Sequence, residues 1–194
     1  MAKNLLQNNC DLVSVTPVAA SAQPVNTQGR ILCKKSTSTT IAFTDLAQYP
    51  YTEFELLTVL TVSGVGAGNL SMQGSVNNGA AYLATGYLSQ SVYMIANATT
   101  STIGSSTTSN LMLAWAATSA TVLMCRMYIY GINTTNLMIR SNGGIFLPGG
   151  ASSNQFAGYT GGYITNASPF NAFQVLLSTG SITAAKTTLW GING

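Results

Sequence analysis

The chain has 194 residues, and only 6% of them are charged, against roughly a quarter in an ordinary soluble domain; seven Lys and Arg outweigh four Asp and Glu for a net charge of +3, and there is no His. The only acids are Asp11, Asp45, Glu53 and Glu55, so from Leu56 to the C-terminus the chain lacks the groups on which general acid–base catalysis mainly draws, and an enzyme is not expected. The bases Lys3, Arg30, Lys34, Lys35, Arg126, Arg140 and Lys186 are too sparse to track a phosphate backbone, so nucleic acid is not expected as a partner.

The length suits one folded unit with a substantial core. Residues 1–28, rich in Gln and Asn and containing Pro17 and Pro24, read as an extended N-terminal arm, and residues 29–194 as one β-sandwich domain. An arm of this kind either packs along the edge of its own sheet or reaches a neighbouring subunit. The opening MAKNLLQNNC has no sustained apolar stretch, so no signal peptide is expected and synthesis in a cytoplasm is the simplest account.

Short β segments are predicted at Arg30–Cys33 and Thr39–Phe43, around a polar turn from Lys34 to Ser38. Tyr51 to Val62 alternates, with Phe54, Leu56, Leu60 and Val62 on one face and Glu53, Glu55 and Thr61 on the other, as a strand with one buried face does. Gly64, Gly66 and Gly68 end it in a loop. Asn69–Gln73 and Ala80–Leu83 bracket Asn77-Asn78-Gly79, a strong hairpin signal because both central residues tolerate positive φ. Ser89–Ala96 is a further strand, followed by a Ser/Thr-rich loop from Asn97 to Asn110. Leu111 to Ile132 is apolar enough for a membrane test, but Thr118-Ser119-Ala120-Thr121 interrupts it and Arg126 lies inside it. Two buried strands, Leu111–Ala117 and Thr121–Ile132, fit better than a spanning helix, and no membrane association is expected. Leu137–Arg140, a Gly-rich segment from Ser141 to Gly162, and strands Ala172–Leu177 and Ile182–Ile192 complete the chain. Short strands with frequent turn signals and no 3.6-residue apolar period indicate an all-β sandwich or barrel. Tyr130-Gly131-Ile132-Asn133 recurs in form as Trp190-Gly191-Ile192-Asn193, which predicts comparable places for the two strands in the two sheets.

The C-terminal pattern, Phe173-Gln174-Val175-Leu176-Leu177, then Ser178-Thr179-Gly180, then a strand closing on Leu189-Trp190-Gly191-Ile192, resembles a signature common in tailed-bacteriophage virion proteins. Tyr51 to Leu56, Leu70 to Gln73, Asn78 to Tyr82 and Gly86-Tyr87 look like the front half of the same pattern, so the resemblance covers about Tyr51 to Gly194. It implies a jelly-roll-like antiparallel β-sandwich, of the capsid decoration or cement, head-fibre or tail-associated type, that carries no catalytic residues. Where the pattern usually has an Asp before the Gly of the front hairpin, this chain has Asn77-Asn78, which argues against a metal role for that turn.

No metal or cofactor site is expected. Cys10, Cys33 and Cys125 form no Cys-x-x-Cys pair; buried thiols are expected, with a Cys10–Cys33 disulfide or a bond to a neighbouring chain left open. A serine nucleophile would have only Lys34, Lys35 or Lys186 as base, and Gly64-Val65-Gly66-Ala67-Gly68 lacks the Lys-Ser/Thr of a phosphate loop. The candidate interface residues are Arg126, Tyr128 and Tyr130, which share one strand face while Cys125, Met127 and Ile129 take the other, and Phe156, Tyr159 and Tyr163, which with Phe170 stand among glycines. The expected protein is a non-enzymatic virion component, assembled in the host cytoplasm, a homo-oligomer with a trimer favoured, docked on major capsid or tail proteins through its arm. The alternative is a receptor- or glycan-binding module of a tail or fibre, using loops between Ser141 and Pro169.

Overall fold

The computed structural model of the chain describes residues 11–15, 28–35, 40–63, 68–95, 101–116, 121–146 and 156–192. In chain order these form β1 (Asp11–Val15), β2 (Gln28–Lys35), β3 (Thr40–Phe43), β4 (Glu53–Ser63), β5 (Gly68–Ser75), β6 (Tyr87–Ile95), β7 (Ser101–Thr108), β8 (Leu111–Ala116), β9 (Thr121–Tyr130), β10 (Asn136–Phe146), β11 (Phe156–Thr165), β12 (Ala172–Leu177) and β13 (Ser181–Ile192). A single 3-10 turn at Leu46–Gln48 is the only helical element among the described residues.

The strands make two antiparallel sheets. The larger has the order β1-β2-β13-β4-β9-β10-β11-β6-β7 and the smaller β3-β12-β5-β8. Without β1, β6, β7, β10 and β11, what is left is β2-β13-β4-β9 facing β3-β12-β5-β8, and the chain changes sheet at each step β2 to β3, β3 to β4, β4 to β5, β8 to β9 and β12 to β13. That wiring is the jelly roll, two four-stranded sheets built from interlocked Greek keys. The remaining strands extend the larger sheet: β10 pairs with β9, β11 with β10, β6 with β11 and β7 with β6. Within the segment expected as an arm, β1 lies along β2 at the edge of its own sheet.

The alternation in β4 is the fold's clearest imprint on sequence. Phe54, Leu56, Leu60 and Val62 are buried against the smaller sheet, while Leu57 and Thr61 face solvent. Leu123, Cys125, Met127 and Ile129 of β9 and Leu137 and Ile139 of β10 continue that inner surface, and Ile41, Phe43, Leu70, Met72, Phe173 and Val175 meet it from the smaller sheet. Each such side chain contributes about 1.5–3 kcal/mol by leaving water. Phe43 and Phe173 stack at 4.7 Å between centroids. Leu111 to Ile132 is indeed two strands, β8 and β9, lying in different sheets.

Several local expectations are corrected. At Asn77-Asn78-Gly79 the turn forms, with φ of 59° at Asn78 and 84° at Gly79, but residues 80–83 do not return as a strand. β5 instead pairs with β12 and β8 on its two sides, leaving no place for a hairpin partner. The Ser/Thr-rich stretch from Asn97 to Asn110 contains β7, and the Gly-rich stretch from Ser141 to Gly162 contains the end of β10 and the start of β11. Pairing on both sides supplies what hydrophobic periodicity does not: Gly143 is opposite Cys125 on one side and Gly158 on the other. The strands ending in Tyr130-Gly131 and Trp190-Gly191 lie in the same sheet, on either side of β4, rather than in two sheets. Cys10, most of the arm and the loop at residues 64–67 lie outside the described residues, and so does the Cys33 side chain.

Candidate functional site

Strand alternation sorts the larger sheet into a buried face and an outer one. In β9, Cys125, Met127 and Ile129 point inward, so Met124, Arg126, Tyr128 and Tyr130 point outward, as expected from the sequence. Register then assembles rows across strands. Trp190, Glu55, Tyr128, Arg140, Gly161 and Gln90 form one row of the outer face. Glu53, Tyr130, Met138, Tyr163 and Leu88 form the next on one side, and Leu57, Arg126, Asn142, Tyr159 and Val92 the next on the other.

Five of the six expected residues therefore meet on one surface. Arg126 forms an ion pair with Glu55 through its Nε, and its guanidinium carbon stands 5.3 Å from the centre of the Tyr128 ring. The hydrogen bond that Arg126 donates to Glu55, and then the charge of Glu55, raise the Arg126 pKa above its ordinary value. Tyr159 is 63% exposed and Tyr163 45%, on the same face of β11. Phe156 opens β11, and its side chain lies outside the described residues. Phe170 does not join the group, because it is fully buried in the core. The stretch expected to supply recognition loops is mostly strand, so Tyr159 and Tyr163 stand on a rigid sheet.

Two depressions mark this surface. A groove of about 1090 Å³ crosses β6, β10 and β11, between Tyr159 and Tyr163, with Leu88, Gln90, Val92, Met138 and Arg140 in its walls. A smaller, more polar one of about 300 Å³ adjoins it, lined by Arg126, Tyr128, Tyr130, Arg140, Asn142 and Tyr159. The groove exists because of Gly161: a Cβ placed there meets nothing within 4 Å, so the floor between the tyrosines is bare backbone. Its neighbour Gly162 points the other way, where a Cβ would come within 2.6 Å of Leu111 Cδ2 and 2.7 Å of the Leu88 carbonyl. One glycine admits β8 beneath the sheet and the other leaves the groove above it.

The inner faces under the groove are held by buried hydroxyls. Ser91 and Thr160 hydrogen-bond each other at 2.8 Å across β6 and β11, and Ser141 donates to the Leu113 carbonyl at 3.1 Å. Sequence reasoning passed over Arg140, Met138 and Gly161. The period-two spacing Tyr159-x-Gly161-x-Tyr163 is the signal that points to the slot, once the segment is taken as a strand.

The Asn77-Asn78 turn has a structural occupation. The Asn78 amide donates to the Asp45 carboxylate and its carbonyl accepts from the Asp45 N–H, while Asn171 Oδ1 accepts from the Asn78 N–H at 2.7 Å. Asn77 Oδ1 accepts from Ser75 Oγ at 2.8 Å and from the Ala81 N–H at 2.9 Å. These side chains clasp three loops at one end of the sandwich.

Fold and surface together define a jelly-roll β-sandwich with one extended sheet whose outer face is aromatic and open. No family model matches the chain, and no curated protein matches it closely. Among solved structures, similarity is reported to a protein of unknown function from Shewanella oneidensis MR-1, at 15% identity over 94% of this chain and 76% of the other, with a TM-score of 0.26. An alginate lyase from Alteromonas sp. 272 is 12% identical over 98% and 70% of the two chains, with a TM-score of 0.20. A protein of infectious bursal disease virus, Gt strain, is 11% identical over 94% and 48%, with a TM-score of 0.14. Superpositions this loose carry no argument about function.

Proposed function

We propose that this chain is a non-enzymatic structural protein of a bacteriophage particle: a self-associating jelly roll, with a trimer favoured, that docks on capsid or tail proteins through its N-terminal segment. The observation that carries the reading is the placement of exposed apolar side chains. Leu57, Val92, Met124, Met138, Tyr159 and Tyr163 are the large hydrophobics exposed among the described residues, and register puts all of them on the outer face of the larger sheet. Apolar side chains gathered on one face mark an interaction surface rather than a scatter of ordinary exposed residues. Neutral amides and hydroxyls elsewhere suit close packing, because burying them in hydrogen bonds avoids the desolvation cost of charges. Two of the four acids are engaged structurally, Glu55 with Arg126 and Asp45 with Asn78.

Removing residues 1–27 tests the docking role. The sandwich from Gln28 onward loses the β1–β2 pairing at its edge but is expected to stay folded, with a cooperative thermal transition and β-sheet circular dichroism, and to disappear from purified particles of a phage that carries the gene. Undiminished incorporation overturns the assignment. A second reading, recognition of a receptor or surface glycan, is favoured by one observation, the open groove across β6, β10 and β11.

A further inference from the structure

We propose that the groove between Tyr159 and Tyr163 is a binding site for an acidic glycan, with the tyrosine rings stacking on sugar faces and Arg140 taking the anionic group. Tyr159 and Tyr163 are four residues apart on one strand, so their Cα atoms stand about 13 Å from each other along β11. Gly161 lies midway and contributes no side chain, and the resulting groove of about 1090 Å³ is slightly larger than the roughly 300–1,000 Å³ typical of small-ligand sites, which suits an oligosaccharide. It is built on paired strands, so its shape is set before a ligand arrives.

The lining chemistry selects an amphipathic ligand. Tyrosine offers a flat apolar face and a hydroxyl at its rim, which matches a pyranose ring with its C–H face and its ring of hydroxyls. Gln90 stands beside Gly161 in register on β6 and supplies an amide that can both donate and accept. A purely aliphatic ligand would leave that amide and the Arg140 guanidinium without partners.

Charge decides between an external ligand and a second copy of the chain. Arg140 stands beside Gly161 on β10, is exposed, and has no ion pair with any described residue, whereas Arg126 already holds Glu55. No acid occurs anywhere after Glu55, so an anion entering the groove meets an unpaired guanidinium, and the nearest carboxylates lie on β4, beyond β9. A second copy is a weaker complement: among its described acidic side chains Glu55 is paired and Asp45 is hydrogen-bonded to Asn78, which leaves Glu53 alone to offer a carboxylate. A planar guanidinium binds a carboxylate or a sulfate through two parallel hydrogen bonds, which makes a uronate, a sialate or a sulfated sugar the matching occupant.

The groove stands well away from β1. From β1 to β11 there are six strand steps, which places the groove about 29 Å from the edge that carries the N-terminal segment. The glycan site does not depend on the particle role, since loss of incorporation and loss of sugar binding are read in separate experiments.

The test is titration of the full chain with trigalacturonate, 3′-sialyllactose and a heparin hexasaccharide, each beside a neutral oligosaccharide of similar length, by calorimetry and by saturation-transfer NMR. At least one acidic probe is expected to bind, roughly tenfold or more tighter than its neutral counterpart, as one charge-assisted pair supplies. Arg140→Gln is expected to erase that preference. Gly161→Leu is expected to abolish binding of acidic and neutral sugars alike while leaving the thermal midpoint in place, because the new side chain projects into open groove rather than into the core. The proposal is overturned if no acidic probe binds at millimolar concentration, or if binding survives Gly161→Leu. It is equally overturned if Gly161→Leu instead dissolves an oligomer of the free protein, which would make a second copy the occupant.

Discussion

Tyr87 shows how a single side chain ties the sandwich together. Its ring is fully buried, and its hydroxyl accepts from the Gly74 N–H at 2.9 Å and donates to the Leu83 carbonyl at 2.9 Å. The phenol thereby anchors the irregular stretch after β5 to that strand. Burial pushes its pKa up to about 12, the Gly74 hydrogen bond opposing that rise in part; burial, helped by the charge of Asp45, does the same for Tyr49, and burial alone does so for the Cys125 thiol. In the unfolded chain these groups lose their protons at about pH 8.5–10. Between there and about pH 12 the unfolded state therefore binds fewer protons than the native state, and stability falls as pH rises, by up to about 1.4 kcal/mol per pH unit for each group. Denaturant titrations from pH 8 to 12 are expected to show that decline. Tyr87→Phe is expected to cost about 1–3 kcal/mol at pH 7, because the Gly74 N–H is left unpaired in the core, and to make the alkaline decline shallower. A variant as stable as the wild type at neutral pH would contradict the role given to the hydroxyl.

At the scale of elements, the two glycines in the recurring aromatic–Gly–Ile–Asn pattern do different work. Gly131 follows β9 in a left-handed conformation, φ 90°, and a Cβ there would come within 1.8 Å of the Asn136 carbonyl oxygen. The turn it opens is fastened by the Gly131 N–H to the Thr52 carbonyl at 3.0 Å and by the Asn133 N–H to the Phe170 carbonyl at 2.7 Å. Gly191 is the penultimate residue of β13, and the Tyr51 ring lies over it, 2.0 Å from where a Cβ would be. Gly131→Ala is expected to cost about 2–3 kcal/mol through backbone strain, whatever stands at position 51. Gly191→Ala is expected to cost about 1–3 kcal/mol through overpacking, and less in a Tyr51→Leu background, so a double-mutant cycle separates the two. The shared tetrapeptide was legible in the sequence, but its two jobs were not, since one depends on a turn and the other on an aromatic ring some 140 positions away. The same limit hid β7 and the glycine-rich ends of β10 and β11. Their residues carry no apolar alternation, and their strand character comes from their pairings: β7 with β6, β10 with β9 and β11, and β11 also with β6, some 70 residues before it. By contrast, the buried face of β4 and the outward set Arg126, Tyr128 and Tyr130 were readable, because each is written in one strand's own alternation.

For the whole molecule, the extension of one sheet by five strands, β1 at one edge and β10, β11, β6 and β7 at the other, is what separates this sandwich from a bare eight-stranded jelly roll. The groove lies on the added strands β6, β10 and β11, while Leu57 and Met124 sit on β4 and β9 of the original eight, with Val59 directly opposite Met124. The outer face therefore carries two adjoining regions: Leu57 and Met124 beside the Arg126–Glu55 ion pair over the jelly roll proper, and over its extension an aromatic groove in which Val92 and Met138 stand with Gln90 and Arg140. The proposed self-association is assigned to the first. Sedimentation equilibrium is expected to show a concentration-dependent oligomer of the wild-type chain that Met124→Lys shifts toward monomer by about 2 kcal/mol or more per contact, since an unpaired ammonium would be buried against apolar neighbours. Thr179→Lys, exposed in the β12–β13 connection, is expected to leave the equilibrium unchanged. Equal effects of the two substitutions would show that net charge rather than the patch controls association, and a wild-type monomer at every concentration would remove self-association from the proposed function while leaving the sugar site to stand on its own titrations.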